Sequence, residues 1–292
     1  MRKSLLLAGL LSMGAALPAT VMAEDAAAPA ATPDWTFPAS ISFVSDYIFR
    51  GQSQTWGRPA AQFAIEADHK SGFYAGFAAS NVSDEWLPGA NLETDFFAGY
   101  RGTISEFGFD VGGIYYYYPG ANWDESQFTG MNRSNSLNTF EVYASLSYKW
   151  LSVKAGRTLN EYFGWDTNNS PALGHYPGDP TLYGFNGDPN AGVTGDTDGS
   201  YFYEANAAYE VFPTWTLSGQ IGHQVVSDAK GLDITYYKAG ITKAFGSGWS
   251  IGAFYSGTNE PDAYKDFITL RNGNSESDVA RDTGFLTISK SF

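Results

Sequence analysis

The sequence of 292 residues contains no cysteine, four methionines and three histidines. Without cysteine the chain has no disulfide framework, no lipid-modified N-terminal cysteine and no thiol chemistry. Charged residues are scarce at 16% of the chain, and acidic residues outnumber basic ones by 31 to 17. The net charge of −14 argues against nucleic acid as a partner, because surfaces that bind nucleic acid are basic.

Long apolar runs are also missing, except near the N-terminus. Two basic residues precede an apolar run over 5–17, and small residues continue as far as Ala23. This order is typical of a secretory signal peptide, and the run is too short for a comfortable membrane span. We therefore predict a signal peptide over 1–23 that is cleaved after Ala23, followed by a flexible periplasmic leader over 24–34.

Aromatic residues and glycine are abundant, with 8 Trp, 19 Tyr, 21 Phe and 33 Gly. This composition suits an all-β chain with many turns. Stretches of about ten residues carry apolar residues at every second position, which is the pattern of barrel strands. For example, Phe63 and Ile65 alternate with Gln62 and Glu66. The predicted strands lie near 39–50, 60–68, 72–81, 91–101, 107–118, 138–149, 151–159, 200–210, 214–225, 234–244, 248–256 and 281–292.

The connections between these strands alternate in length. Those after even-numbered strands are short, as at 69–71 and 245–247, and most of those after odd-numbered strands are long, as at 160–199. Short turns on one side and long loops on the other are characteristic of outer-membrane barrels. We predict a transmembrane antiparallel β-barrel of about twelve strands over 35–292, in the outer membrane of a Gram-negative bacterium, with periplasmic turns and extracellular loops.

Aromatic residues near the strand ends predict two interfacial belts in contact with outer-membrane lipid and lipopolysaccharide. The belt at the short-turn end comprises Trp35, Tyr100, Phe107, Trp150, Trp215, Trp249 and Phe292. The belt at the long-loop end comprises Tyr47, Phe49, Tyr115, Tyr117, Tyr201, Tyr203 and Tyr255. Phe292 also ends an alternating strand, as outer-membrane barrels usually do, so we predict that it is an assembly signal for the barrel-assembly machinery.

A segment of the first predicted strand reads Ser45-Asp-Tyr-Ile-Phe-Arg-Gly-Gln-Ser-Gln54. It resembles the N-terminal signature of the TorF porin family, which is also catalogued as a conserved proteobacterial family of unknown function. The resemblance spans the mature chain through this motif, the length of the barrel and the terminal Phe. It implies an outer-membrane location and a channel, but no particular substrate.

If the apolar register faces lipid, the other face of each strand points into the lumen. The charged residues on that face, which we predict to line the pore, are Asp46, Arg50, Glu66, Asp68, Glu93, Asp95, Asp110, Glu141, Lys154, Glu204 and Lys238. Because acids predominate, we predict passive diffusion of small hydrophilic solutes or ions with a preference for cations. Alternatively, these charges pair across the lumen and give a plugged structural or adhesive barrel. Arg50 fits either a constriction or a tie to the following loop.

A third class is an outer-membrane barrel hydrolase. His69 lies in a predicted periplasmic turn, His175 lies in the longest loop, and His223 lies in the lipid-facing register with Ser218 and Ser227 nearby. The sequence has no G-x-S-x-G nucleophile motif. We therefore predict no enzymatic activity, no catalytic residue, no cofactor and no metal site.

Overall fold

The structure is a computed structural model, and the predicted signal peptide and the leader as far as residue 32 lie outside the residues it describes. For 175–176 and 179–183 it describes the backbone alone. The described residues are 33–126, 135–170, 175–176, 179–183, 185–186, 188, 190–259 and 261–292.

Within these residues twelve long antiparallel strands form one closed barrel. Each strand pairs with its neighbours along the chain, and the first strand closes the ring against the last, with Ser42 opposite Ser289 and Phe43 opposite Ile288. A short strand at Trp35–Thr36 extends the sheet beside the second barrel strand. The barrel strands are β1 Ala39–Val44, β2 Ala60–His69, β3 Phe73–Asn81, β4 Leu92–Ile104, β5 Phe107–Tyr117, β6 Thr139–Tyr148, β7 Leu151–Thr158, β8 Tyr201–Phe212, β9 Trp215–Val225, β10 Ile234–Ala244, β11 Trp249–Thr258 and β12 Thr283–Ser291.

The alternating pattern sets which side chains face outward. On β4, Phe96 is 51% exposed on the outer wall, whereas its neighbours Asp95 and Phe97 are buried inside. Successive side chains of a strand point to opposite faces, so one register gives an apolar outer wall and a largely polar inner wall. No helix in the described ranges is long and apolar enough to cross a membrane.

The first predicted strand, 39–50, was too long. β1 ends at Val44, and the chain then turns into the barrel as a hairpin in which Ile48–Phe49 pairs with Gln52–Ser53. Tyr47 and Phe49 are therefore buried rather than part of the outer aromatic belt. The other predicted belt residues are exposed on the outer wall. The alternation continues past Val44 because the hairpin is itself built of strand, but its apolar side chains pack inside the barrel.

The long connections pack together over one end of the barrel. Trp86, Trp123, Phe185 and Tyr264 come from four different connections and are all buried in one hydrophobic cluster. The same cluster includes Tyr116 on the inner wall, so packing is continuous from the loops into the barrel. We call these packed connections the cap, and the two ends of the barrel the long-loop end and the short-turn end.

Candidate functional site in the barrel lumen

The inward hairpin over 46–56 fills the long-loop half of the lumen. Its turn is made by Arg50 and Gly51, whose φ angles of 46° and 82° match the left-handed pair of a tight two-residue hairpin. A Cβ at Gly51 would collide with Thr258 and Tyr236, so glycine is required on steric grounds as well. Asp46 stabilises the hairpin base by accepting hydrogen bonds from the hydroxyls of Ser53 (2.6 Å) and Thr55 (3.0 Å).

Arg50, at the hairpin tip, docks on the wall opposite β1. Its Nη2 donates to both carboxylate oxygens of Glu141 on β6 at 2.9 and 2.8 Å, and its Nη1 donates to Gln224 Oε1 on β9 at 2.6 Å. The guanidinium also lies 3.7 Å from the ring centroid of Phe202 on β8. The side chains of Arg50 and Glu141 are 6% and 3% exposed. This buried ion pair, in which one guanidinium nitrogen contacts both carboxylate oxygens, fixes the hairpin across the lumen.

Two buried acids lie beside the hairpin on the inner face of β4. The hydroxyls of Tyr47 and Tyr118 each donate to one oxygen of Glu93, both at 2.6 Å. Asp95, two residues further along the same face, is 1% exposed, and neither of its oxygens has a hydrogen-bond partner among the described residues. Glu93 is thus satisfied by neutral donors, whereas Asp95 has no such donor among the described residues.

A second polar layer lies nearer the short-turn end. Arg101 pairs with Glu66 and, at 3.1 Å, with Asp68 on β2. Tyr74 donates to Asp110 at 2.7 Å, and its hydroxyl lies 2.6 Å from that of Tyr143 on β6. Arg101 was missed in the sequence because the fourth predicted strand ended at that residue, whereas β4 continues to Ile104. The available signal was that Arg101 falls on the same face of the strand as Glu93 and Asp95, because their positions in the chain differ by even numbers.

The far wall carries the remaining lumen bases. Lys154 Nζ lies 3.9 Å from the ring centroid of Tyr143, and Lys154 is opposite Glu204 in the strand register. Glu204 accepts hydrogen bonds from Tyr236 (3.0 Å) and Gln220 (3.1 Å). Lys238 on β10 lies opposite Gln220 on β9 in the strand register. Acids therefore predominate on β2–β6, and the wall from β7 to β10 is mixed in charge.

Burial divides the lumen into two halves. In the long-loop half the inner side chains are buried beneath the hairpin and the cap, as with Tyr116 and Gln224 at 2% and 1% exposure. In the short-turn half several inner residues of β6–β9 are small and partly exposed, including Ser145, Ser152 and Ser218. We call this half, which ends at the hairpin, the vestibule.

The predicted lumen charges all lie inside the barrel, although two of them do not belong to barrel strands. Asp46 and Arg50 belong to the hairpin and not to the first strand, contrary to the prediction, because β1 ends before them. The other nine lie on the inner faces of barrel strands. A role in lining a conducting pore stays a prediction for all eleven.

Among the described side chains, His223 and Ser218 do not form a nucleophile site. His223 is on the outer wall, where its Nδ1 lies 2.8 Å from the hydroxyl of Thr235, while Ser218 faces the vestibule. His69 packs on Trp35 with ring centroids 4.6 Å apart at the short-turn end. The side chain of His175 lies outside the described part of the chain. A serine and a histidine on opposite faces of one strand cannot share a proton.

Glu85 ties the cap together from outside the barrel strands. Its carboxylate accepts a hydrogen bond from the Thr269 hydroxyl and pairs with Arg58 at 3.2 Å. Its backbone carbonyl accepts the Leu270 N–H at 2.9 Å. The Thr269 hydrogen bond, with a smaller contribution from Arg58, lowers the pKa of Glu85 below its ordinary value of 4.5. One carboxylate thus joins three connections of the cap.

The cap is therefore expected to loosen in acid. Since the pKa of Glu85 is lower in the folded chain than in the unfolded one, ionised Glu85 stabilises the cap above pH 4.5. That stabilisation is lost as the pH falls through the lowered folded value. Hydrogen exchange of residues 262–270, corrected for the intrinsic effect of pH, should accelerate across this window. Glu85→Gln should already exchange faster at neutral pH and respond less to acid; an unchanged response would contradict the assignment.

Comparison with known proteins gives a family and distant structural likenesses. A family model described as a bacterial protein of unknown function (Gcw_chp) matches residues 27–292. No curated protein matches the chain detectably. The KdgM porin has a TM-score of 0.48 and 9% identity, with 87% of this chain and 99% of that chain covered.

Two further solved structures have similar scores. The NanC porin has a TM-score of 0.48 and 10% identity, covering 88% of this chain and 99% of its own. An outer membrane channel from Pseudomonas putida F1 has a TM-score of 0.43 and 13% identity, covering 90% and 97%. At these scores the likenesses carry no argument about function, and the resemblance to TorF porins stays a prediction. The family match covers nearly the whole sequence: the chain belongs to the Gcw_chp family of bacterial proteins of unknown function.

Proposed function

We propose that the chain is an outer-membrane channel for small hydrophilic solutes with a modest preference for cations, closed at its long-loop end in the state described above. The observation that carries the proposal is the vestibule. Small, partly exposed residues such as Ser145, Ser152 and Ser218 lie along its inner wall. A barrel that served only as a scaffold would gain stability from larger side chains at these positions, because they would fill the interior.

The membrane location rests on the outer wall. Exposed apolar side chains such as Phe96, Val153, Leu217 and Ile288 cover its middle, and exposed aromatic residues lie at both ends. An apolar band between two aromatic belts fits a bilayer, and a closed barrel leaves no strand edge in the hydrocarbon. The long loops then face outward and the short turns face the periplasm, as in bacterial barrels generally.

The cation preference rests on charge. The eight predicted acids lie on the inner faces of the barrel strands or on the hairpin, and Arg101 joins the three predicted bases there. In the second polar layer, Asp68 and Asp110 are partly exposed, although Arg101 pairs with the first and Tyr74 donates a hydrogen bond to the second. Fixed carboxylates in a narrow aqueous space raise the local concentration of cations over a Debye length of about 8 Å at physiological salt.

The alternative is a permanently plugged barrel, which the docked hairpin favours. Arg50 crosses to the opposite wall, and its contacts with Glu141 and Gln224 are buried. If that contact never opens, the protein is a structural or adhesive barrel and passes no current. Conductance of the purified chain in planar bilayers separates the two functions, since a channel conducts at least intermittently and a plug never does.

Neutralising the vestibule acids should weaken the cation preference. In the variant Asp68→Asn/Asp110→Asn, we expect a lower cation-to-anion permeability ratio, measured as the reversal potential in a potassium chloride gradient. The matched control is Asp282→Asn, because Asp282 is exposed and bonded to the outward tyrosines Tyr237 and Tyr255. An unchanged ratio in the double variant, or an equal change in the control, would show that these acids do not set selectivity.

A further inference from the structure

Two carboxylates on β4 are buried in the lumen without a compensating cation. Glu93 and Asp95 are 2% and 1% exposed, and neither forms a salt bridge among the described residues. Arg50, the base at the hairpin tip, is already engaged by both oxygens of Glu141. The charges of Glu93 and Glu141 both act on Asp95, so this part of the lumen holds more negative than positive charge.

The two acids differ in how they are satisfied. Glu93 accepts one hydrogen bond on each oxygen, from Tyr47 and Tyr118, and is held in one position on the inner wall. Asp95 lies two residues away on the same face, and both of its buried oxygens lack a hydrogen-bond partner among the described residues. An ionised carboxylate is strongly destabilising in such a site unless a hydrogen bond or a positive charge compensates it. A cation beside Asp95 would supply that compensation.

The chemistry of the available ligands selects the kind of charge. Carboxylate and phenol oxygens are hard donors, which suit alkali and alkaline-earth ions better than soft transition metals. No group of three or more His, Asp or Glu side chains in the described ranges is arranged to hold a metal ion. Two carboxylates are thus the acidic part of any site here, and hydroxyl oxygens or water must supply the rest of the coordination.

We propose that Glu93 and Asp95 together bind one hard inorganic cation on the inner wall beside the hairpin. Glu93 is the oriented ligand, held by its two tyrosines, and Asp95 supplies the free oxygens. The bound cation neutralises the wall on which Tyr47 packs, and so stabilises the docked hairpin. This site deepens the proposed cation preference, but binding can be measured whether or not the chain conducts.

Calcium is the probe. The full chain is purified in detergent, freed of metal with a chelator, and its Tm is measured with increasing calcium chloride against choline chloride at equal ionic strength. We expect calcium to raise the wild-type Tm by several degrees, and Asp95→Asn to lose most of that shift. Glu93→Gln should lose it as well. Asp110→Asn is the matched control, because it removes a lumen carboxylate from the other polar layer and should keep the shift.

Equilibrium dialysis, which counts the bound calcium, gives a second readout. We expect Asp95→Asn to bind one ion fewer than Asp110→Asn. Equal binding in these two variants would overturn the proposal. The proposal would also be overturned if calcium does not shift the Tm of the wild-type chain and that chain is as stable as Asp95→Asn, because Asp95 then carries a proton. A chain that binds calcium at this site but never conducts would overturn the channel function and leave the site intact.

Discussion

Replacing residues 46–57 with a short Gly-Ser turn is expected to raise the single-channel conductance by about an order of magnitude, since conductance follows the free cross-section of the lumen. The replacement is compatible with the fold because Val44 and Ala60 lie opposite each other in neighbouring strands, so few residues are needed to join them. It removes the Arg50 contacts and takes Tyr47 and Phe49 out of the cluster that links the barrel to the cap.

The control for this result is Arg58→Ala, which alters the same connection but leaves the hairpin in place. The Arg58 side chain is 58% exposed and contacts Glu85 in the cap. The conductance of the Arg58→Ala variant should match that of the wild type. If the shortened chain still forms a barrel and conducts no better, the hairpin is not what closes the lumen, and the cap itself must be the barrier.

Arg50→Met is expected to destabilise the docked hairpin by about 3–5 kcal/mol, because it leaves Glu141 buried without its partner. The double variant Arg50→Met/Glu141→Leu should recover most of that loss, since replacing both members of a buried ion pair by apolar residues is often neutral. The measurements are the free energy of unfolding in urea and the hydrogen-exchange protection of the hairpin.

A surface pair provides the comparison for this cycle. Arg58→Met breaks the pair with Glu85, whose arginine is largely exposed. Such pairs contribute about 0–1 kcal/mol, so this variant should differ little from the wild type. If Arg50→Met/Glu141→Leu is as unstable as Arg50→Met, then packing of the hairpin, and not the unpaired carboxylate, causes the loss of stability.

The barrel strands were predictable because each wall residue faces either outward or into the lumen. The predicted strands 214–225 and 234–244 agree closely with the observed Trp215–Val225 and Ile234–Ala244. The same pattern gave the wrong end for the first strand, since a hairpin packed inside a barrel alternates like a wall strand. The dipeptide Arg50-Gly51 was the local sign of a turn, because glycine accepts the left-handed conformation that a tight hairpin requires.

The interior contacts could not be predicted in the same way. Alternation gives the face of a residue but not its partner across the lumen, and Arg50 and Glu141 are 91 positions apart in the chain. That pairing depends on where the hairpin tip reaches, which no local pattern specifies. The lack of partners for Asp95 is likewise a property of the assembled lumen, and the sequence indicated only that the residue faces inward.

The closure of β1 on β12 has a consequence for how the chain reaches its folded state. The hydroxyls of Ser42 and Ser289 meet at 2.9 Å across this seam, although 247 positions separate them. Bringing such distant segments together is entropically costly and slow. Until they meet, both edge strands carry unpaired backbone groups that hydrocarbon cannot solvate. Synthesis interrupted before residue 283 therefore leaves a curved sheet with two open edges, which would not be stable in the membrane location proposed above.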